Sequence, residues 1–187
     1  MSEISGFKLQ AVVASLVENL GQRGSWCGET HIQKATYFLS AMAGLPVNYE
    51  FILYKHGPYS FDLHADLVAM TANGFLTRIS RDPWGSTFKA GDRWSAMRST
   101  FSNTLARYSS WIAFVADNLS NMTVAELEKS ATALYVTDSG GRGSSVQERA
   151  AMVNHLKPHI SLDSAMTAIS QLDEMLVRAD CQRAVRE

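Results

Sequence analysis

Apolar residues recur every three or four positions near the start of the chain, which is the pattern of amphipathic helices. The first such stretch predicts a helix over 7–20 that ends at Gly21, and the second predicts a helix over 30–43 that ends before Pro46. Residues 49–54 then alternate between more and less apolar side chains, as in a short strand. The chain therefore begins as two helices and a strand.

The strand leads into the run Tyr54-Lys55-His56-Gly57-Pro58-Tyr59-Ser60. Its Gly-Pro pair predicts a turn, and the Ser60 hydroxyl is suited to accept a backbone N–H at the start of a third helix. That helix is predicted over 61–72, because Asn73-Gly74 supplies a stop after an amphipathic stretch. The third helix is thus separated from the strand by a tight turn.

Two strand-like segments follow, 76–81 and 86–90, and the turn between them contains Pro83 and Gly85. They predict a β ribbon. Helix, helix, strand, helix and ribbon is the element order of a winged-helix module, with the ribbon as its wing. We assign this module to residues 1–94.

Helical patterns dominate the rest of the chain. Helices are predicted over 95–119, 124–136, 145–156 and 161–177, with capping boxes at Thr123/Glu126 and Ser145/Glu148. The Gly-rich segment 138–144 predicts a flexible loop, and the polar tail 178–187 is expected to fray. Because no Pro- or Gly-rich linker divides the chain, we expect a mainly α fold with a small β ribbon. Its winged-helix-like N-terminal half would pack against a helical C-terminal half, 95–187, as one compact unit.

Charge and cysteine content restrict the classes of function. The formal net charge is −1, from 17 basic and 18 acidic residues, and neither half of the chain is basic. Tight non-specific nucleic-acid binding usually leaves a basic excess. Cys27 and Cys181 match no metal or redox spacing, which indicates free thiols in a reducing compartment. Residues 1–7 carry no secretory signal and no apolar run is long enough to cross a bilayer, so we expect a cytoplasmic location.

The wing and the third helix make different predictions about DNA. The outward positions of the third helix are taken as Asp62, His64, Asp66 and Asn73. The two carboxylates among them would repel phosphates. The wing carries four candidate DNA-binding residues: Arg78, Arg81, Lys89 and Arg93. The alternative is that the wing is a solvated ribbon of mixed charge. An acidic third helix favours a basic protein partner, and a DNA-binding regulator that acts as a dimer through the wing is the alternative.

Five residues are predicted to contact a partner protein: Lys34, Tyr59, Asp62, Asp66 and Trp84. Tyr and Trp anchor many interfaces, and the two aspartates would fix the partner's orientation. Two of them have a plainer interpretation, since Lys34 fits an ordinary surface lysine and Tyr59 fits a residue that packs the turn onto the core. Tyr54 is expected to pack into the core, and Trp84 lies at the tip of the predicted ribbon.

Catalysis has little support in the sequence. Cys27 and His31 are four residues apart at the start of the second helix, which is the spacing of a metal pair or of a nucleophile with its base. No third group accompanies them. We therefore predict a protein that is not an enzyme and holds no cofactor or metal, with an unrecognised enzyme dependent on these two residues as a third hypothesis.

Three motifs give the chain a resemblance to a known family. Ile32-Gln33-Lys34, the run from Tyr54 to Ser60, and the Lys157-Pro158 turn before the last helix resemble elements of the Panacea-domain (SocA-like) antitoxins and of the related YwgA-like bacterial proteins. The resemblance covers most of the chain through the order and spacing of these motifs. The resemblance implies a non-enzymatic protein that binds a partner protein, such as a toxin. Binding of DNA in addition to the partner protein is the alternative that it leaves open.

Overall fold

The first two helices bury the apolar faces that their sequences predict. In this computed structural model, which describes residues 4–83, 85–141 and 143–184, α1 spans Gly6–Gln22 and α2 spans Glu29–Ala43. The apolar side chains of α1 from Leu9 to Leu20 are almost completely buried. Helix α2 ends at Gly44, whose φ of 57° is the left-handed conformation that glycine adopts readily.

The predicted strand over 49–54 is shorter in the structure and belongs to a hairpin that the sequence did not reveal. Strand β1 (Ile52–Tyr54) pairs antiparallel with β2 (Gly57–Tyr59), so the Gly-Pro pair lies in a strand and the turn is Lys55-His56. Gly57 has a φ of 85°, and a Cβ built on it would lie 3.3 Å from Oγ1 of Thr132. The backbone therefore approaches the helical half closely at this point.

Helix α3 (Phe61–Ala72) confirms the prediction, and the Ser60 hydroxyl accepts a hydrogen bond from the backbone N–H of Leu63. The ribbon is also confirmed, because β3 (Leu76–Ser80) pairs antiparallel with β4 (Ser86–Ala90). On its other edge, β4 meets the loop before α2 through a bridge between Gly28 and Thr87. Trp84, at the predicted tip of the ribbon, lies outside the described residues.

The helical half differs from the prediction at two places. Its elements are α4 (Trp94–Thr100), α5 (Ser102–Leu119), α6 (Val124–Val136), α7 (Val146–Leu156) and α8 (Leu162–Ala184). The single helix predicted over 95–119 is interrupted at Phe101, whose φ and ψ of −109° and 25° are not helical. The last helix continues to Ala184, so the tail that was expected to fray is helical as far as that residue.

Local signals mark the starts of α6 and α7 correctly. Both predicted capping boxes are present, with Glu126 and Glu148 each bonded back to the backbone of its capping residue. Between these helices, the chain is kinked within Thr137–Gly141, because Gly140 has a φ of 124° and a ψ of 0°, which are not helical, and Thr137 and Gly141 are buried. Arg142, in the predicted loop, lies outside the described residues.

One apolar core joins the two halves, which confirms a mainly helical fold with small β ribbons in one compact unit. Helix α5 packs along α1, and α6 packs against α2 and β2. Helix α7 is fixed to α8 by Arg149, which donates two hydrogen bonds to Asp173 at 2.7 and 2.6 Å.

No helix in the described part of the chain is both long enough and apolar enough to span a bilayer. Cys27 and Cys181 are free thiols, as predicted.

Candidate functional site

Two side chains of α2 form hydrogen bonds to the backbone of the β1–β2 hairpin and of Ser60, the residue that follows it. Gln33 donates from Nε2 to the Ser60 carbonyl and accepts from the Ser60 N–H, each at 2.9 Å. Lys34 donates from Nζ to the Pro58 carbonyl at 2.9 Å. Two of the sequence motifs are therefore one structural unit, in which the Gln33-Lys34 pair positions the Gly-Pro strand.

A third motif holds the same hairpin from the helical half. The Nζ of Lys157 donates to the carbonyls of Tyr54 and Lys55 at 2.5 and 2.6 Å. Glu128 lies close by, with its carboxylate 3.5 Å from the Lys157 Nζ and 3.3 Å from Nε2 of His159. Lys157 and Glu128 are both buried. The hairpin of the N-terminal half is therefore bonded to a buried group of charged side chains in the helical half.

Lys34 lies near this group of charged side chains and is not on the surface. Only 2% of the residue is exposed, so both interpretations that placed it at the surface, as a partner contact or as a solvated lysine, are wrong. Burial lowers the pKa of Lys34 to about 8, an effect that the Glu128 carboxylate opposes and that the Lys157 charge reinforces. Lys34 contributes to the surface indirectly, because its hydrogen bond to the Pro58 carbonyl positions strand β2.

The outer side of the hairpin carries an aromatic cluster made of Tyr54, Tyr59 and Phe61. The ring centroids lie 5.7 Å apart for Tyr54 and Tyr59, 6.0 Å for Tyr54 and Phe61, and 5.1 Å for Tyr59 and Phe61. Tyr54 is 45% exposed and Phe61 is 57% exposed. The expectation that Tyr54 packs into the core is therefore wrong, because its ring lies on the solvent side of the hairpin.

Tyr59 is the one predicted contact residue that lies in this aromatic cluster. Its side chain is half-buried, and its hydroxyl donates to Oε1 of Glu29 at 3.0 Å. Nδ1 of His64 lies 2.7 Å from the same oxygen. Burial, the hydrogen bond and the charge of Glu29 together raise the pKa of Tyr59 to about 12, which keeps the phenol protonated at neutral pH.

Helix α3 continues the aromatic cluster as an exposed strip of small and apolar side chains. Phe61, Ala65, Val68 and Ala72 follow one another at steps of four, three and four residues, so they share one side of the helix, and all four are exposed. Val68 is 54% exposed. We call the aromatic cluster together with this strip the apolar face. It was missed in the sequence because the outward positions of the helix were assigned to the polar residues alone.

A groove of about 280 Å³ lies between the apolar face and the ribbon. Most of its lining surface is apolar. The residues that line it are Leu67, Val68, Thr71, Ala72 and Phe88, together with Glu29, His64 and Arg78. The register of the ribbon explains two of these positions. Arg78 and Phe88 are directly paired, so their side chains lie on the same face of the ribbon.

The two aspartates of α3 lie on another side of the helix. Asp66 accepts hydrogen bonds from Nε2 of Gln10 at 2.9 Å and from the hydroxyl of Tyr49 at 2.6 Å, so its carboxylate is tied to α1 and to the chain before β1. Asp62 is exposed and is one turn away on the same side. The structure therefore does not bring the aspartates together with Tyr59 on one contact surface.

The four basic residues of the wing are exposed but do not share one surface. Arg78 lies with Phe88 on the face towards the groove, whereas Lys89 pairs with Thr77 on the opposite face. Arg81 lies over the ring of Trp26 at 5.0 Å, and Arg93 lies over the ring of Phe75 at 5.5 Å. The ribbon thus presents its charges in several directions.

Cys27 and His31 are each hydrogen-bonded to another group of the chain. The Sγ of Cys27 donates to the Val17 carbonyl at 3.5 Å, and burial raises the pKa of this thiol. Nδ1 of His31 lies 3.0 Å from the Ser25 hydroxyl, and burial lowers the pKa of the ring. Across the described residues, no group of three or more His, Cys, Asp or Glu side chains is arranged to hold a metal ion.

No model of a known protein family matches this chain, and no curated protein matches it either.

Proposed function

We propose that this chain is a non-enzymatic protein-binding module that occludes a partner protein through its apolar face. The role is that of the SocA-like antitoxins, which its sequence motifs resemble, and the partner in such a role is a toxin. The observation that carries the proposal is the continuous exposure of Tyr54, Phe61 and Val68 beside a mostly apolar groove. Exposed apolar surface of this kind is characteristic of protein interfaces.

The way in which the hairpin is supported favours a binding surface that is preorganised. Gln33 and Lys34 from one half and Lys157 from the other bond to the backbone of the hairpin, so the aromatic rings above them sit on a fixed support. A rigid aromatic cluster loses little conformational entropy when a partner covers it. Binding would therefore bury these rings at low cost and block the partner's own contact site.

Regulation of transcription through the wing is the alternative, and the distribution of charge argues against it. Helix α3 has no Lys or Arg, and its exposed strip is apolar. Arg78 and Lys89 lie on opposite faces of the ribbon, so a DNA backbone that contacts one face of the ribbon cannot contact both residues. We expect any DNA binding to be weak and to disappear at moderate salt.

The proposal is tested by co-expression of the tagged chain with the products of its neighbouring genes. A partner of the apolar face should co-purify with the wild type and be lost with Val68→Asp, which places a charge in the middle of the face. Val177→Asp is the matched control, because Val177 is also an exposed valine, 63% exposed against 54% for Val68, but lies on α8. A partner retained by both variants, or lost equally with both, would contradict the assignment to this face.

A further inference from the structure

We propose that the groove beside α3 binds a partner segment in which an apolar side chain stands next to an acidic residue, and that the acidic residue pairs with Arg78. This inference rests on the proposed function, because it specifies the chemistry of the segment that docks on the apolar face. It is carried by the presence of one exposed arginine, Arg78, in the lining of a mostly apolar groove.

Arg78 is the basic residue of the ribbon that faces the groove. Within the described part of the chain it makes no ion pair, no hydrogen bond and no stacking contact with an aromatic ring, although its side chain is exposed along the groove. Arg81 and Arg93 differ, because each lies over an aromatic ring of this same chain. Among the residues that the structure describes, none occupies the donors of Arg78, so they are available to an external group.

Glu29, the acidic residue in the groove lining, is already engaged. Oε1 of Glu29 accepts from the Tyr59 hydroxyl and lies 2.7 Å from Nδ1 of His64. These contacts hold the Glu29 carboxylate towards the aromatic cluster and away from a pairing with Arg78. Since no described residue pairs with the Arg78 guanidinium, whereas the Glu29 carboxylate is engaged, the charge that a docking segment must complement is positive.

The groove and its surroundings fit a short segment and not an isolated side chain. The groove of about 280 Å³ accepts one large apolar side chain, and a second cavity of about 420 Å³ shares Glu29, Arg78 and Phe88 with it. That second cavity continues past Trp26 to Val124 at the start of α6. A segment can thus place an apolar residue against Leu67 and Val68 and then pass over Arg78.

The chemistry of the guanidinium selects the acidic residue. Its planar fork of donors matches a carboxylate through two parallel hydrogen bonds, and such a bond gains strength when an apolar neighbour removes water from it. An apolar side chain seated in the groove would exclude water from one side of Arg78. Adjacency of the apolar and acidic residues in the segment follows from this arrangement.

The test uses a displayed library of random peptides as the probe, selected against the purified full chain. The wild type should enrich peptides in which a Leu, Ile, Phe or Met adjoins an Asp or Glu. Arg78→Glu should lose these peptides and enrich peptides with Lys or Arg in place of the acidic residue. Lys89→Glu is the control, since it makes the same charge change on the opposite face of the ribbon and should leave the selection as in the wild type.

One enriched peptide and its acid-to-lysine variant, measured by fluorescence anisotropy against both proteins, complete a double-mutant cycle. The inference predicts that each single charge reversal weakens binding at least tenfold and that the two reversals together restore most of the affinity. Enriched peptides that carry no acidic residue, yet are lost with Val68→Asp, would overturn the pairing with Arg78 and leave the apolar face in place. Peptides that are indifferent to Val68→Asp would overturn both the inference and the role of the groove.

Discussion

The side chain of Gln33 pairs with the backbone of Ser60 through two hydrogen bonds, in the way that one strand pairs with another. Both residues are completely buried. This pairing fixes the exit of β2 and the start of α3 relative to α2. The position of the aromatic cluster, which is the centre of the proposed binding surface, therefore depends on an amide inside the core.

We predict that Gln33→Met lowers the free energy of unfolding by about 1–3 kcal/mol, because it leaves the buried N–H of Ser60 without a partner, while the Ser60 carbonyl keeps only its hydrogen bond from the His64 N–H. Met is close to Gln in size, so the loss of hydrogen bonds dominates over loss of packing. Urea unfolding measures the effect, and Gln147→Met on the exposed side of α7 is the control. Equal stability of the two variants would show that the pairing contributes nothing.

Lys34 gives a prediction about pH. Its folded-state pKa of about 8 lies below the ordinary value of 10.5, so between these values the folded protein releases a proton that the unfolded chain retains. The contribution of Lys34 to stability must therefore rise as pH rises through this window, and it is least favourable below about pH 8.

This contribution is isolated by subtracting the stability of Lys34→Met from that of the wild type at each pH. The difference should increase from about pH 7 to about pH 10. Cys27 and Tyr59 have raised pKa values and act in the opposite direction, but they are present in both proteins and cancel. A difference that stays constant over this range would contradict the burial of a charged Lys34.

Lys157 links the helical half to the hairpin, and we predict that its removal loosens the turn. In Lys157→Met the carbonyls of Tyr54 and Lys55 lose their shared donor, while Glu128 loses a neighbouring positive charge. Amide hydrogen exchange should accelerate at residues 54–59 because local opening becomes easier. Lys8→Met, on the exposed side of α1, should leave exchange in the hairpin at the wild-type rate.

Arg149 and Asp173 provide a test of the helical half that is independent of the binding surface. Asp173→Ala leaves the buried guanidinium of Arg149 without its carboxylate, and we expect a loss of about 1–3 kcal/mol in the free energy of unfolding. Glu174→Ala, which changes an exposed neighbour, should cost much less. Thermal unfolding of the two variants compares them, and similar midpoints would contradict the role given to the pair.

The sequence predicted the elements whose signals are local. Ser60 caps α3 as expected, and the boxes at Thr123 and Ser145 start α6 and α7, because each depends on residues only three positions apart. The break at Phe101 was missed because the apolar spacing continues unchanged through it. The β1–β2 hairpin was missed because a Gly-Pro pair ordinarily indicates a turn and not a strand.

The candidate site was harder to predict because it depends on contacts between distant parts of the chain. Lys34 looks like a surface residue until Glu128 and the Pro58 carbonyl are placed beside it. Asp66 looks free until Gln10 and Tyr49 are seen to bond to it. Charge in the sequence drew attention to the polar side of α3, whereas the exposed apolar side had no signal that distinguished it from a core-facing stripe.

The measurement that most directly tests the central claim is the dissociation constant of the co-purified partner for Phe61→Ser and Phe7→Ser. These two phenylalanines are 57% and 56% exposed, so their removal changes the exposed apolar surface almost equally, but only Phe61 belongs to the apolar face. By isothermal titration calorimetry, Phe61→Ser should bind at least about tenfold more weakly than the wild type, as expected for an aromatic anchor, and Phe7→Ser should bind as the wild type does. Equal affinity of the wild type and Phe61→Ser would contradict the account.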